Sequence, residues 1–385
     1  MSVCTTIQQQ VYCLAIKICA AATQTGDSAT LESYLQAQLQ DLLGNPDFNN
    51  GDDWQIAWGP VVWQAPFSTF SDQAAAVCYN STQNFYVVPV SATNPRSPYN
   101  VFFEDLAAVP GYMVPLPGGN AGNVTVGNYA GLQALLSLGA SGTSLADFLS
   151  GAASSSDSLV FCGHSLGGGL TPLLAYALYP GGTTGSGWAN VYTFPTAGPT
   201  TADAAFATAF ATAYPVVQGS GGYQMWNANQ YNAHDLVPNA WAPGSTAPGL
   251  AQITTTISTW FSGMYYTDVE MSAEIAALRT VAETLAGGSA NPFVAPNNNA
   301  LFTGPREYGQ ITDSATLEKE ILFQHTTAYN NEFGVSSLFD DATVQATIHP
   351  PLLTLVRGVS GAGKAVTAAK AAAAVAQKEP APGTA

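Results

Sequence analysis

One pentapeptide, Gly163-His164-Ser165-Leu166-Gly167, constrains this chain more than any other feature because of what flanks it. Before it runs Leu159-Val160-Phe161-Cys162, a short continuous apolar stretch of the kind found in strands buried on both faces. After it, Leu170, Leu173, Leu174, Ala177 and Leu178 share one helical face, and Pro180-Gly181-Gly182 supplies the stop. A strand must therefore turn into a helix within a few residues, with a serine at the turn. Gly-x-Ser-x-Gly suits that turn because side chains larger than hydrogen beside the serine would strike the strand and the helix, and the turn lifts the hydroxyl above the sheet edge. The helix start beneath it offers backbone N–H groups and a positive dipole to charge developing at a reacting oxygen. A chance match is the competing explanation in a chain with 37 glycines, and the flanking strand, the helix and the extension Gly167-Gly168-Gly169 make it the weaker one.

Around this centre strands and helices alternate. Gln55 to Trp63, Phe85 to Val90, Ser158 to Cys162, Trp188 to Phe194 and Tyr223 to Ala228 read as strands. Leu31, Leu35, Leu39, Leu42 and Leu43 recur at helical spacing between the start signals Asp27 and Ser28 and the stop at Gly44 and Pro46. The pattern predicts an α/β fold, a mainly parallel central sheet with helices on both faces. Residues 1–50 read as a helical segment packing on the core and 51–356 as the main domain. Within the domain, 243–322 carries its own helical pattern and is too long for a structureless loop, so it reads as an inserted, cap-like subdomain. Its face of Ile253, Ile257, Trp260, Phe261 and Met264 either lines a substrate pocket or packs the insert onto the core. From 357 to 385 the chain is rich in Ala, Gly and Lys and reads as a helical or flexible tail.

Composition excludes several function classes. With 47% apolar and 9% charged residues over 385 positions, the chain is far from a disordered composition. Its 25 acidic against 9 basic residues leave a net charge of −16, which repels phosphate backbones, so nucleic acid is not an expected partner. Five cysteines without paired short spacing and four histidines indicate neither a disulfide framework nor a zinc site, and no cofactor or metal is implied. No apolar run reaches the ~20 residues that cross a bilayer, since the best, Val11 to Ala22, is broken by Lys17. Met1 to Gln10 carries no basic residue of a secretory signal, so the chain is expected in the cytoplasm, exported without a leader, or already trimmed of one. Gly358 to Ala365 falls one residue short of a phosphate-binding loop, with Ala365 where Ser or Thr would hold Mg²⁺, and only twenty residues follow it. The tripeptides starting at Asn80 and Asn123 match glycosylation acceptors at the level chance supplies, and the tryptophans between Trp58 and Trp63 read as core packing of an early strand.

A serine hydroxyl needs a general base, and the base needs a carboxylate to hold its tautomer. For an elbow in this strand–turn–helix setting the chain order is serine, acid, histidine. His234, His325 and His349 follow Ser165. Asp235, in Asp235-Leu236-Val237-Pro238 soon after a strand candidate, is the best-placed carboxylate. His234 is its neighbour in sequence, and successive side chains point apart. His325, after the helical segment Leu317 to Phe323, is the favoured base, and His349 stands as the alternative.

These residues also carry a resemblance. Trp58-Gly59-Pro60-Val61-Val62, Tyr86-Val87-Val88, Glu104-Asp105-Leu106, Gly163 to Gly168 with Thr171-Pro172, Ala197-Gly198-Pro199-Thr200, Trp226-Asn227, Asp235 to Pro238 and Gln324-His325 with Tyr329 resemble the class 3 lipases, the fungal-lipase-like branch of the α/β-hydrolases, and most closely its bacterial members. The likeness spans roughly Trp54 to Tyr329 and implies an α/β-hydrolase fold and a serine carboxylic ester hydrolase acting on small-molecule or lipid esters through an acyl-enzyme. It implies Ser165 as nucleophile, Asp235 as acid and His325 as base. The family's Arg-Gly-Ser/Thr after the first long strand is here Ser91-Ala92-Thr93, which implies Thr93 and the Leu166 N–H as the oxyanion hole. Asp105 follows Thr93 by only twelve positions, which leaves little room for the family's lid helix and makes the 243–322 insert, with Trp260 and Phe261, the candidate cover. An acyltransferase using the same triad and a non-catalytic binding member of the fold are the other readings.

Overall fold

The computed structural model describes residues 3–97, 113–116, 121–242, 249, 292–308 and 314–339. Its centre is a seven-stranded sheet in which spatial order follows chain order: β1 (Trp54–Trp63), β2 (Gln73–Asn80), β3 (Phe85–Val90), β4 (Ser158–His164), β5 (Asn190–Thr196), β6 (Asn229–Asn232) and β7 (Asn298–Phe302). The first three strands are antiparallel, and from β3 onward every pair is parallel. Each residue of β4 is buried, as its apolar run requires of a strand covered on both faces.

Helices cover both faces. On one, α1 (Ile7–Lys17) lies across β3, β4 and β5, and α2 (Ser28–Gly44) packs against β1. A capping box between Thr6 and Gln9 starts α1, and Asp27 caps α2 by accepting from the Thr30 N–H. Leu31, Leu35, Leu39, Leu42 and Leu43 are the buried stripe of α2, the face their spacing predicts. On the other face lie α3 (Val126–Leu136), α4 (Leu166–Leu178) and α5 (Ala204–Ala213), joined to the sheet by a second apolar cluster. Late in the described residues come α6 (Ser314–His325) and α7 (Thr327–Glu332), the latter on the α1 face, where Tyr329 and Phe333 join the first cluster.

The structure departs from the expectations in three places. Strand β2, Gln-Ala-Ala-Ala-Val-Cys-Tyr-Asn, carries no strand signal because alanine has little strand preference, yet Ala74, Ala75 and Ala76 are wholly buried. Of the candidate Tyr223 to Ala228, only Met225–Trp226 is strand, and it pairs with Val217–Gln218 outside the central sheet. Trp226 instead lays its ring on Tyr192 of β5 at 5.2 Å, nearly parallel. Asn227, at φ 65°, ends the ribbon and exchanges hydrogen bonds with Thr193, and one residue further on Asn229–Asn232 enters the sheet as β6. Third, residues 298–302, inside the 243–322 insert, pair in parallel with β6 and belong to the central sheet. The rest of that insert up to residue 291 lies, except for Gly249, outside the described residues, as do Trp260, Phe261, His349, Gly358 to Ala365 and the 357–385 tail. Trp58 is buried and its indole donates to the Thr143 carbonyl at 3.1 Å, a packing role. The five cysteines are buried thiols outside any disulfide. Among the described residues no helix is long and apolar enough to cross a membrane.

Candidate active site

Ser165 sits between the last residue of β4 and the first of α4 with φ 58° and ψ −126°, a backbone state that side chains other than hydrogen adopt at a cost of ~1 to 3 kcal/mol. Two flanking glycines make the turn possible. A Cβ on Gly163 would stand 2.4 Å from the Gly167 carbonyl, and one on Gly167 would stand 2.6 Å from the Val90 carbonyl oxygen. The Ser165 N–H donates to the Thr196 carbonyl of β5 at 3.0 Å, pinning the turn to the neighbouring strand.

Three residues distant in sequence meet here. Ser165 Oγ lies 2.8 Å from His325 Nε2. His325 Nδ1 lies 2.8 Å from Asp235 Oδ2 and 3.0 Å from Oδ1. All three are buried. A carboxylate can only accept, so Nδ1 carries a proton and Nε2 is the lone-pair nitrogen facing the serine hydroxyl, the tautomer a general base needs. Asp235 also accepts from the Val237 N–H at 3.0 Å and from the Tyr329 hydroxyl at 2.8 Å. Burial pushes the Tyr329 phenol well above its ordinary range, so it remains a neutral donor.

The segments bearing Asp235 and His325 are tied by a buried polar network. Asn232, the last residue of β6, donates its side-chain amide to the carbonyl and side-chain oxygens of Gln324 at 3.0 and 2.6 Å. Its own side-chain oxygen accepts from the N–H groups of His234 and Gly304. Its backbone N–H donates to the Tyr329 hydroxyl at 2.9 Å. Gln324 in turn donates to Glu320 and Pro305. His234 points away from Asp235, its Nδ1 2.7 Å from the Gly304 carbonyl, and is half-buried. Tyr329 enters the sequence reading through resemblance alone, and neither Asn232 nor His164 enters it as a site residue. No local signal marks them, since their roles arise from partners some 90 to 160 positions away.

Thr93 leaves the sheet beside this centre. Val90 pairs with Gly163, so Thr93 and Ser165 emerge from adjacent parallel strands at one sheet edge, and Thr93 is buried. Its segment is anchored on both sides: the Ala92 N–H donates to Cys19 Sγ at 3.2 Å, and the Asn94 side chain donates to the Ser71 carbonyl at 3.2 Å. Burial pushes the Cys19 thiol up to about 12, so it is a neutral partner. Leu166 is the first residue of α4, where backbone N–H groups have no intrahelical acceptor.

A mainly parallel sheet with an elbow serine and a histidine–carboxylate pair returning from later segments defines a serine hydrolase of the α/β-hydrolase fold. Residues 99–243, which hold Ser165 and Asp235, match the model of the lipase (class 3) family, a match that supports a carboxylic ester hydrolase. No curated protein matches the chain. The crystal structure of M37 lipase matches with a TM-score of 0.66 at 20% identity over 88% of this chain and 95% of that one, a likeness of fold. Rhizomucor miehei lipase in its propeptide complex matches at TM-score 0.38 and 16% identity, covering 60% of this chain and 61% of that one. The lipase from Rhizopus microsporus var. chinensis matches at 0.39 and 14%, covering 60% and 68%.

Proposed function

We propose that Ser165 is the nucleophile, His325 the general base and Asp235 the acid of a hydrolase that cleaves lipid esters through an acyl-enzyme. The observation that carries this reading is the buried chain of hydrogen bonds from Ser165 Oγ through His325 to Asp235. His325 Nε2 takes the hydroxyl proton as Oγ attacks the ester carbonyl, and Asp235 stabilises the imidazolium without itself taking the proton. Collapse of the tetrahedral adduct breaks the bond to the alkoxy oxygen, which leaves with the proton from Nε2. Water, deprotonated by the same nitrogen, then attacks the acyl-enzyme and releases the carboxylic acid with Ser165 restored. The tetrahedral oxyanion falls to the backbone N–H of Leu166 at the start of α4 and to Thr93. With a net charge of −16, the protein suits uncharged esters better than anionic ones.

A fluorophosphonate probe and a p-nitrophenyl ester series from short to long acyl chains test the reading together. Ser165→Ala is expected to lose both labelling and turnover while keeping its melting temperature. Labelling retained in that variant would place the nucleophile elsewhere.

A further inference from the structure

His164 precedes the proposed nucleophile, is wholly buried, and takes no part in the proton path from Ser165 to Asp235. Its ring nonetheless bridges three segments. Nε2 lies 2.8 Å from the main-chain carbonyl oxygen of His325, and Nδ1 lies 3.0 Å from Thr196 Oγ1 at the end of β5. A carbonyl can only accept, so Nε2 carries the proton, and Nδ1 accepts from the Thr196 hydroxyl. The ring stands edge-to-face against Tyr329 of α7 at 5.1 Å and against Tyr12 of α1 at 6.2 Å between ring centres, so neighbours on both sides restrict its rotation. The carbonyl it holds belongs to the last residue of α6, where helix carbonyls lack intrahelical donors, and the next residue, Thr326, breaks the helix at φ −131° and ψ −72°.

We propose that His164 is a positioning residue: by donating its Nε2–H to the His325 carbonyl it holds the main chain from which the base hangs, and so keeps His325 Nε2 within 2.8 Å of Ser165 Oγ. Strand β4 therefore delivers both the nucleophile and the bond that sets the base against it. The inference rests on the reading of Ser165, His325 and Asp235 as the reacting triad. Burial, and next the nearby His325, hold the His164 pKa well below the ordinary imidazole range, so the ring stays neutral and does not oppose the charge that forms on His325 during turnover.

The test uses His164→Leu and His164→Gln in the full chain, with kcat and KM measured on a short, soluble ester. Loss of the bond lets the base drift, and a displacement of ~1 Å costs up to ~100-fold. His164→Leu is therefore expected to lower kcat by about 10- to 100-fold with KM nearly unchanged, and to slow fluorophosphonate labelling in parallel. His164→Gln, whose amide offers a donor of similar reach, is expected to stay within about threefold of the parent. A folded His164→Leu with parent kcat, or a Gln variant as impaired as the Leu variant, overturns the positioning role. If the Leu variant does not fold, Thr196→Val decides: removing the hydroxyl that holds Nδ1 loosens the ring's grip on the His325 carbonyl and is expected to lower kcat by several-fold at constant KM, and an unchanged kcat overturns the proposal. Ser165→Ala measured alongside separates the two readings, because turnover surviving that change defeats the triad itself.

Discussion

The two halves of the catalytic edge are built from opposite materials. The half that carries Ser165, β3, β4 and α4, is apolar: Val88, Val90, Leu159, Phe161, Leu170, Leu173 and Leu174 are buried in one cluster, and glycines let the turn close. The half that presents Asp235 and His325 is polar. Asn229, Gln230, Asn232, Gln324, His325 and Asn330 are all buried, and hydrogen bonds to Tyr329, Gly304 and the main chain hold them in place. Apolar packing is non-directional and tolerates small shifts, which suits a scaffold. A hydrogen-bond network fixes angles as well as distances, and leaving one member unpaired costs ~1 to 3 kcal/mol, which suits groups that must meet across 90 residues of chain. The lesson is a division of labour in which hydrophobic burial makes the sheet and buried polar groups aim the chemistry.

The largest expected effect breaks the polar half at its end. Asp235→Asn keeps the shape but turns an N–H toward His325 Nδ1, forcing the wrong tautomer, and should lower kcat by ~10⁴ with little change in melting temperature. A loss under tenfold would remove Asp235 from the acid role. On the apolar side, Thr93→Val keeps the backbone N–H and deletes only the hydroxyl, and steady-state kinetics should show kcat falling by ~10² to 10³ at unchanged KM, the loss of one oxyanion donor. An unchanged kcat would leave the backbone as the sole donor in that segment.

A paired measurement of stability sharpens the contrast. Leu174→Ala in α4 removes buried apolar volume and should cost ~2 to 5 kcal/mol in urea unfolding while kcat at 25 °C stays near the parent's. Asn232→Leu strips partners from the His234 and Gly304 N–H groups and from Gln324, and should cost a comparable ~2 to 4 kcal/mol. Only the second should also lower kcat, because Asn232 carries the turn to Asp235. Equal activity in both variants would defeat the division of labour.

The smallest effect is a pH dependence. His164 is held below the ordinary imidazole value of 6.5 when folded, by burial first and by His325 second, so the unfolded chain binds the proton more readily. Its contribution to stability is complete above ~6.5 and is lost as pH falls below that value, at up to about 1.4 kcal/mol per pH unit. Burial lowers the pKa of half-buried His234 as well, with the same sign and a smaller, solvent-screened effect. Melting temperatures from pH 7.5 to 5.5 should fall in the parent and fall less steeply in His164→Gln; identical slopes would remove His164 as a contributor.

The sequence by itself determined the elbow, the alternation of strands and helices and the two opening helices, because each rests on periodic apolar burial or on glycine's missing side chain. Leu159 to Cys162 can hardly be anything but an inner strand, and Gly163 and Gly167 are small for reasons that lie within a few residues of them. Tertiary structure alone decided the rest. Strand β2 is alanine and β6 is Asn-Gln-Tyr-Asn, neither of which carries a strand signal, and both are strands because neighbours on either side complete their ladders. Residues 298–302, inside what reads as an insert, are strand for the same reason. Chain order led to Asp235 and favoured His325, but the roles of Tyr329, Asn232 and His164 depend on hydrogen-bond partners far away in sequence. A hydrogen bond has no period along the chain: its donor and acceptor are independent in sequence and become a pair only when the fold brings them within ~3 Å.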